Sequence, residues 1–164
     1  MSRILSRKSP LFFLLGLLAS LIFVPCEAAE GGDVAVIVNP KNPATNISLA
    51  DLRKMFRGAK HSWAGGIPVK LFVRAPGSHE RIVLLRLVGM SESEYAQYWT
   101  AQVFRGEADS EPLSLSSFGM ALEAAKAFPG AIAFVDARDI KPGMYVKVIK
   151  VDGHMPGDEG YPLH

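Results

Sequence analysis

The run Leu71-Phe72-Val73-Arg74-Ala75-Pro76-Gly77-Ser78-His79-Glu80-Arg81 reads as a buried strand that passes through a tight turn into a helix. Leu71, Phe72 and Val73 are apolar without interruption, as in a strand covered on both faces. Pro76-Gly77 bends the backbone, and Ser78 stands where a helix N-cap is needed. An arginine at the strand end, a serine hydroxyl and the free N–H groups of a helix start surround one small volume, which suits an anion. The same residues allow a plainer reading, in which Ser78 only caps the helix and Arg74 only pairs with a surface carboxylate.

Outward from this turn, strands and helices alternate. Val34-Ala35-Val36-Ile37-Val38 is an unbroken apolar run, and Asn39-Pro40-Lys41-Asn42-Pro43 ends it with turn formers. Ser48 then caps a helix carrying Leu49, Leu52, Met55 and Phe56 on one face, with Asp51 at the acidic position of a capping box and Gly58 as the stop. Residues 59–68 form a loop holding Trp63, and Gly65-Gly66 delivers the chain into a strand over 69–73. Beyond the central turn, Ile82, Leu85 and Val88 lie on a helix that ends at Gly89. Ser91 and Glu94 open the next helix with a capping box, and Tyr95, Tyr98, Trp99, Gln102 and Val103 carry it to Phe104 and Gly106.

A polar link over 107–112 leads to a helix expected over 115–128, with Phe118, Ala121, Leu122 and Ala125 as its buried stripe. Pro129-Gly130 closes it, residues 131–135 form another buried strand, 144–151 a partly exposed one, and 152–164 a loop tail. There is no internal repeat. The pattern predicts an α/β fold, a three-layer sandwich in which a mainly parallel sheet is flanked by helices. Function in such sheets gathers at the C-terminal ends of strands, where this reading puts both Arg74 and Asn39.

The length of 164 residues is that of about one domain, and a targeting segment shortens it. Arg3, Arg7 and Lys8 precede an apolar run over 11–24, and Cys26-Glu27-Ala28 supplies a small-residue cleavage site. The reading is a signal peptide at 1–28, a disordered polar lead at 29–33 and one domain at 34–164, exported to a periplasm. The alternatives are a membrane anchor formed by an uncleaved N-terminal helix or by a lipidated Cys26. Removing Arg3, Arg7 and Lys8 from 18 basic residues leaves 15, and removing Glu27 from 16 acidic residues leaves 15. A neutral mature chain has no basic face for nucleic acid. It also has no cysteine, so its stability rests on its core.

Ser78, His79 and Glu80 are residue types of nucleophilic catalysis, but neighbours at a helix start point apart, and Ala75-Pro76-Gly77-Ser78-His79 is not Gly-x-Ser-x-Gly. The chain reads as a binding protein and not an enzyme. His61, His79, His154 and His164 lack ligand spacing, so no metal or cofactor is expected. A third class, an envelope protein-interaction module without a small ligand, directs attention to Trp63, Tyr95, Tyr98 and Trp99.

Taken together, Val38-Asn39-Pro40 after the first strand, Met55-Phe56-Arg57-Gly58 followed by Trp63, the turn from Arg74 to Ser78, Tyr98-Trp99, Phe104-Arg105-Gly106, residues 128–135 and Lys150-Val151-Asp152-Gly153 carry a resemblance. The chain resembles the phosphate-binding protein family of ABC transporters, as a short single-lobe member, over about residues 34–163. The resemblance implies one lobe of a type II periplasmic binding protein. It implies phosphate or a related oxyanion as ligand, bound weakly or with a partner, and an ABC transporter permease, another envelope protein or a second copy as partner.

The family turn has the form Arg-x-x-Gly-Ser-Gly-Thr. Arg74, Gly77 and Ser78 match it in order and spacing, whereas His79 stands at the second Gly and Glu80 at the Thr. The resemblance implies ligand contact for Arg74 and Ser78; with the other residues of the turn and the strand-end Asn39, the candidate ligand-binding residues are Arg74, Gly77, Ser78, His79 and Asn39. A side chain at position 79 crowds the closest backbone approach, and a carboxylate at position 80 opposes a bound dianion.

Overall fold

A computed structural model describes residues 31–164; the expected signal peptide, Cys26 and the first residues of the lead lie outside them. Six strands form one sheet in the order β2-β6-β1-β5-β3-β4. They are β1 (Val34–Val38), β2 (Asn46–Ile47), β3 (Lys70–Arg74), β4 (Leu113–Leu115), β5 (Ala131–Asp136) and β6 (Lys147–Val151), with helices α1 (Leu49–Phe56), α2 (His79–Val88), α3 (Glu92–Phe104) and α4 (Phe118–Ala127).

The α/β sandwich is built on the two faces of β1 and β5. Val34, Val36, Val38, Ile132 and Phe134 point to one side and pack with Leu52, Met55 and Phe56 of α1, Val83, Leu84 and Leu87 of α2, and Tyr95 and Trp99 of α3. Ala35, Ile37, Ala133 and Val135 point to the other and meet Ala121, Ala124 and Ala125 of α4. Alternating side chains thus find apolar cover on both faces, which is why these strands read as continuous apolar runs.

The sheet is mixed. β3 runs parallel to β4 and β5, β2 runs parallel to β6, and β1 runs antiparallel to both its neighbours. A strand buried on both faces looks the same in either direction, so hydrophobic pattern carried no information on the sense of β1. The consequence is positional. Val38 at the end of β1 faces Ile132, and Ile132 faces Leu71 near the start of β3, so Asn39 and Arg74 lie at opposite ends of the sheet.

Local signals placed the helices well. Ser48, Ser78 and Ser91 are N-caps whose side chains accept from the N–H groups of Asp51, Arg81 and Glu94. The capping box at Ser91 is complete, with Glu94 Oε2 accepting from Ser91 N at 2.7 Å. Asp51, one methylene shorter, turns instead to Lys60 Nζ at 2.7 Å. α4 starts at Phe118 because Ser117 caps it, accepting from Met120 N, which frees Leu113–Leu115 to join the sheet as β4. β6 starts at Lys147, later than residue 144.

Two segments read as loop or lead are tied to the core. Asp33 accepts from Ala137 N at 2.9 Å, and in the tail Val34 N donates to Leu163 O at 2.8 Å. Tyr161 and Leu163 are buried. Trp63, Tyr95 and Trp99 are also buried, and the Trp63 indole donates to Gly130 O at 3.0 Å, so these aromatics serve the core.

Candidate functional site

The turn after β3 forms as its sequence demands. Ser78 N donates to Ala75 O at 3.2 Å across Pro76 and Gly77, and Gly77 has a φ of +83°. Proline second and a left-handed glycine third make a type II turn, which points the chain into α2. Ser78 then has extended backbone, and its Oγ accepts from Arg81 N at 3.2 Å. That hydroxyl keeps its own proton to donate, and the N–H groups of His79 and Glu80, the first two of α2, have no intrahelical partner.

Arg74 ends β3 beside this helix start. Its Nε donates to Glu80 Oε1 at 3.0 Å and its Nη1 to Leu115 O at 3.2 Å, with side-chain exposures of 14% for Arg74 and 7% for Glu80. Ala75 N donates to the same Leu115 carbonyl at 3.0 Å, so β4 holds the backbone and the side chain of the turn together.

His79 faces the lead. Its Nε2 lies 2.8 Å from Gly32 O, and a Cβ on Gly31 would come within 2.1 Å of the imidazole, so the ring rests directly on glycine backbone. Next to it, at the end of β5, Asp136 accepts from Arg138 Nη2 at 2.6 Å. Hydrogen bonding from Arg138 holds the Asp136 carboxyl below the usual carboxylate range against the opposing effect of burial, and the charge of His79 adds to the lowering.

The structure therefore gathers Arg74, Gly77, Ser78 and His79 at one end of the sheet and places Asn39 elsewhere. Asn39 is 3% exposed, and its Nδ2 donates to Ala125 O at 2.8 Å and Lys126 O at 2.9 Å, while its Oδ1 accepts from Lys41 N. It closes the last turn of α4. Sequence reasoning missed Asp136 and Arg138; the signal available was an acidic residue directly after a buried strand. Ser78, His79 and Glu80 each turn to a different partner, Arg81 N, Gly32 O and Arg74, an arrangement unlike a hydrolytic triad.

At the opposite end of β3 there is an open cavity of about 530 Å³, lined by Met55, Lys60, Lys70, Trp99, Asp109 and Glu111 among others. Among the described residues no cluster of three metal-ligating side chains is present, and no helix is long and apolar enough to cross a membrane.

Solved structures share this fold. An ABC-type phosphate transport receptor from Vibrio cholerae superposes with a TM-score of 0.60 at 20% identity, covering 76% of this chain and 48% of that one. A putative phosphate ABC transporter substrate-binding protein from Clostridium perfringens, with bound phosphate, gives a TM-score of 0.60 at 18% identity, covering 76% and 46%. PstS from Borrelia burgdorferi gives 0.57 at 17% identity, covering 76% and 49%. This chain spans about half the length of these structures. No family model matches the chain, and no curated protein matches it.

Proposed function

We propose that this chain is an exported solute-binding lobe that takes phosphate or a related oxyanion at the turn between β3 and α2. The observation that carries the reading is the meeting of a strand-end arginine, Arg74, with the Ser78-capped N-terminus of α2. It stands on a fold shared with phosphate ABC transporter substrate-binding proteins. The guanidinium, the Ser78 hydroxyl and the first-turn N–H groups are donors of the kind that hold a tetrahedral oxyanion. An anion held on the open face of this lobe stays wet, and each hydrogen bond to it is worth less than in a closed cleft. Binding is accordingly weak, or is completed by a transporter permease, another envelope protein or a second copy.

The basic front and apolar run before residue 28 support export to a periplasm through a cleaved signal, with anchoring by an uncleaved helix or by lipidated Cys26 as the alternative. The role is binding, not catalysis.

Titration calorimetry of the purified protein with inorganic phosphate and with sulfate tests the site. Heat that Arg74→Ala abolishes supports it, and equal heats in the two proteins overturn it.

A second reading, an envelope interaction module that keeps the lobe without a small ligand, is favoured by one observation. Phe104 at the end of α3 is 91% exposed and Leu113 on the edge strand β4 is 55% exposed.

A further inference from the structure

Two nitrogens of the Arg74 guanidinium are already engaged, Nε by Glu80 Oε1 and Nη1 by Leu115 O. Glu80 is the second residue of α2, so its carboxylate belongs to the first helical turn, where the positive end of the helix dipole favours a negative charge. That carboxylate also takes the Arg74 Nε hydrogen at 3.0 Å, with only 7% of its side chain exposed. The two features that draw an anion to this turn, the guanidinium and the helix start, therefore both already meet an anion that the chain itself carries.

We infer that Glu80 is the specificity-determining residue of the turn: its carboxylate is a tethered competitor that an external oxyanion must displace to take the Nε edge of Arg74. The inference rests on the oxyanion reading of this site. Displacement strips a nearly buried carboxylate of its ion-pair partner, and the incoming dianion adds like-charge repulsion at close range. A competitor fixed by its own backbone also acts at an effective concentration on the order of millimolar or above, without translational cost. Leu115 O holds a second part of the guanidinium, so Arg74 stays positioned when Glu80 leaves. Affinity at this turn is thus set by Glu80 as much as by Arg74, and a partner that draws Glu80 away would raise it.

The test is calorimetric titration with inorganic phosphate of the wild type, Glu80→Gln, Glu80→Thr and the double variant Arg74→Ala/Glu80→Gln. Glu80→Gln keeps the shape and one acceptor oxygen while removing the charge, and it carries the comparison if Glu80→Thr is poorly folded by circular dichroism. The expected result is phosphate binding at least about tenfold tighter in Glu80→Gln than in the wild type, a gain that Arg74→Ala removes. Equal affinity in the wild type and Glu80→Gln, still dependent on Arg74, overturns the competitor role and leaves the site in place. No phosphate heat in any of the proteins overturns the site itself, and the inference with it.

Discussion

The Arg81 guanidinium straddles the Glu92 carboxylate, with Nη2 2.6 Å from Oε1 and Nε 3.0 Å from Oε2, and so joins α2 to the first turn of α3. Its Cζ lies 4.6 Å from the centre of the Tyr95 ring, which stacks the cation on the core of the helical face. The hydrogen bonds from Arg81, followed by its charge, hold the Glu92 carboxyl below its usual 4.5, against a raising effect of burial. A carboxyl with a lowered folded pKa stabilises fully above its unfolded value and loses that contribution as pH falls through the folded one. Thermal melts from pH 7 downward should show the wild type losing stability more steeply below about 4.5 than Glu92→Gln. Parallel pH profiles would show that the pair contributes nothing to acid sensitivity.

The tail is part of the fold, which makes it a place to measure. Tyr161 donates its hydroxyl to Val34 O at 2.7 Å, and burial raises its pKa well above the usual tyrosine value. Tyr161→Phe deletes one buried hydrogen bond and is expected to lower stability by about 1 kcal/mol. Leu163→Ala, at a site 2% exposed, should cost about 2–4 kcal/mol by cavity formation. Urea denaturation measures both; wild-type stability in Leu163→Ala would mean that the tail is not docked in solution.

What the sequence made legible was local. Serine caps located three helix starts, and Gly89, with a φ of +69°, ends α2 as its position predicts. The short strands β2 and β4 escaped because two or three half-exposed residues carry no periodicity, and their pairing partners are distant in sequence. The sense of β1 escaped because burial on both faces has no direction. At the site, the residues of the Arg74 turn were legible because strand, turn and cap are contiguous. The Arg74–Glu80 ion pair was not, since a pairing six residues apart depends on how the turn points both side chains. Asn39 was misplaced relative to Arg74 for the same reason as β1.

Gly130 offers a test of how tightly β3 and β5 begin. A Cβ there would sit 1.7 Å from the Pro68 carbonyl oxygen, and the Gly130 carbonyl already accepts from Lys70 N at 2.9 Å and from the Trp63 indole. Backbone, not a mobile side chain, blocks the space. Gly130→Ala must therefore part the two strand starts, and is expected to lose about 3 kcal/mol or fail to fold, with Trp63 fluorescence shifting to the red. A Gly130→Ala protein as stable as the wild type would contradict the close approach.

Asn39 separates architecture from ligand binding. Its amide orientation follows from its partners: Oδ1 accepts from Lys41 N at 2.9 Å, which leaves Nδ2 to donate to Ala125 O and Lys126 O. Those carbonyls belong to the last turn of α4, the negative end of its dipole. Asn39→Ala strands two acceptors and one donor, at an expected cost of about 2 kcal/mol. Asn39→Asp replaces the donor with a buried carboxylate facing two carbonyl oxygens, so it should be worse, by about a further 1–2 kcal/mol at neutral pH. That deficit should shrink in acid, where a protonated carboxyl can donate again. Because Asn39 lies at the far end of the sheet from Arg74, phosphate affinity measured on the folded fraction of Asn39→Ala should equal that of the wild type. A selective loss of phosphate binding in Asn39→Ala, with stability unchanged, would return Asn39 to the ligand site.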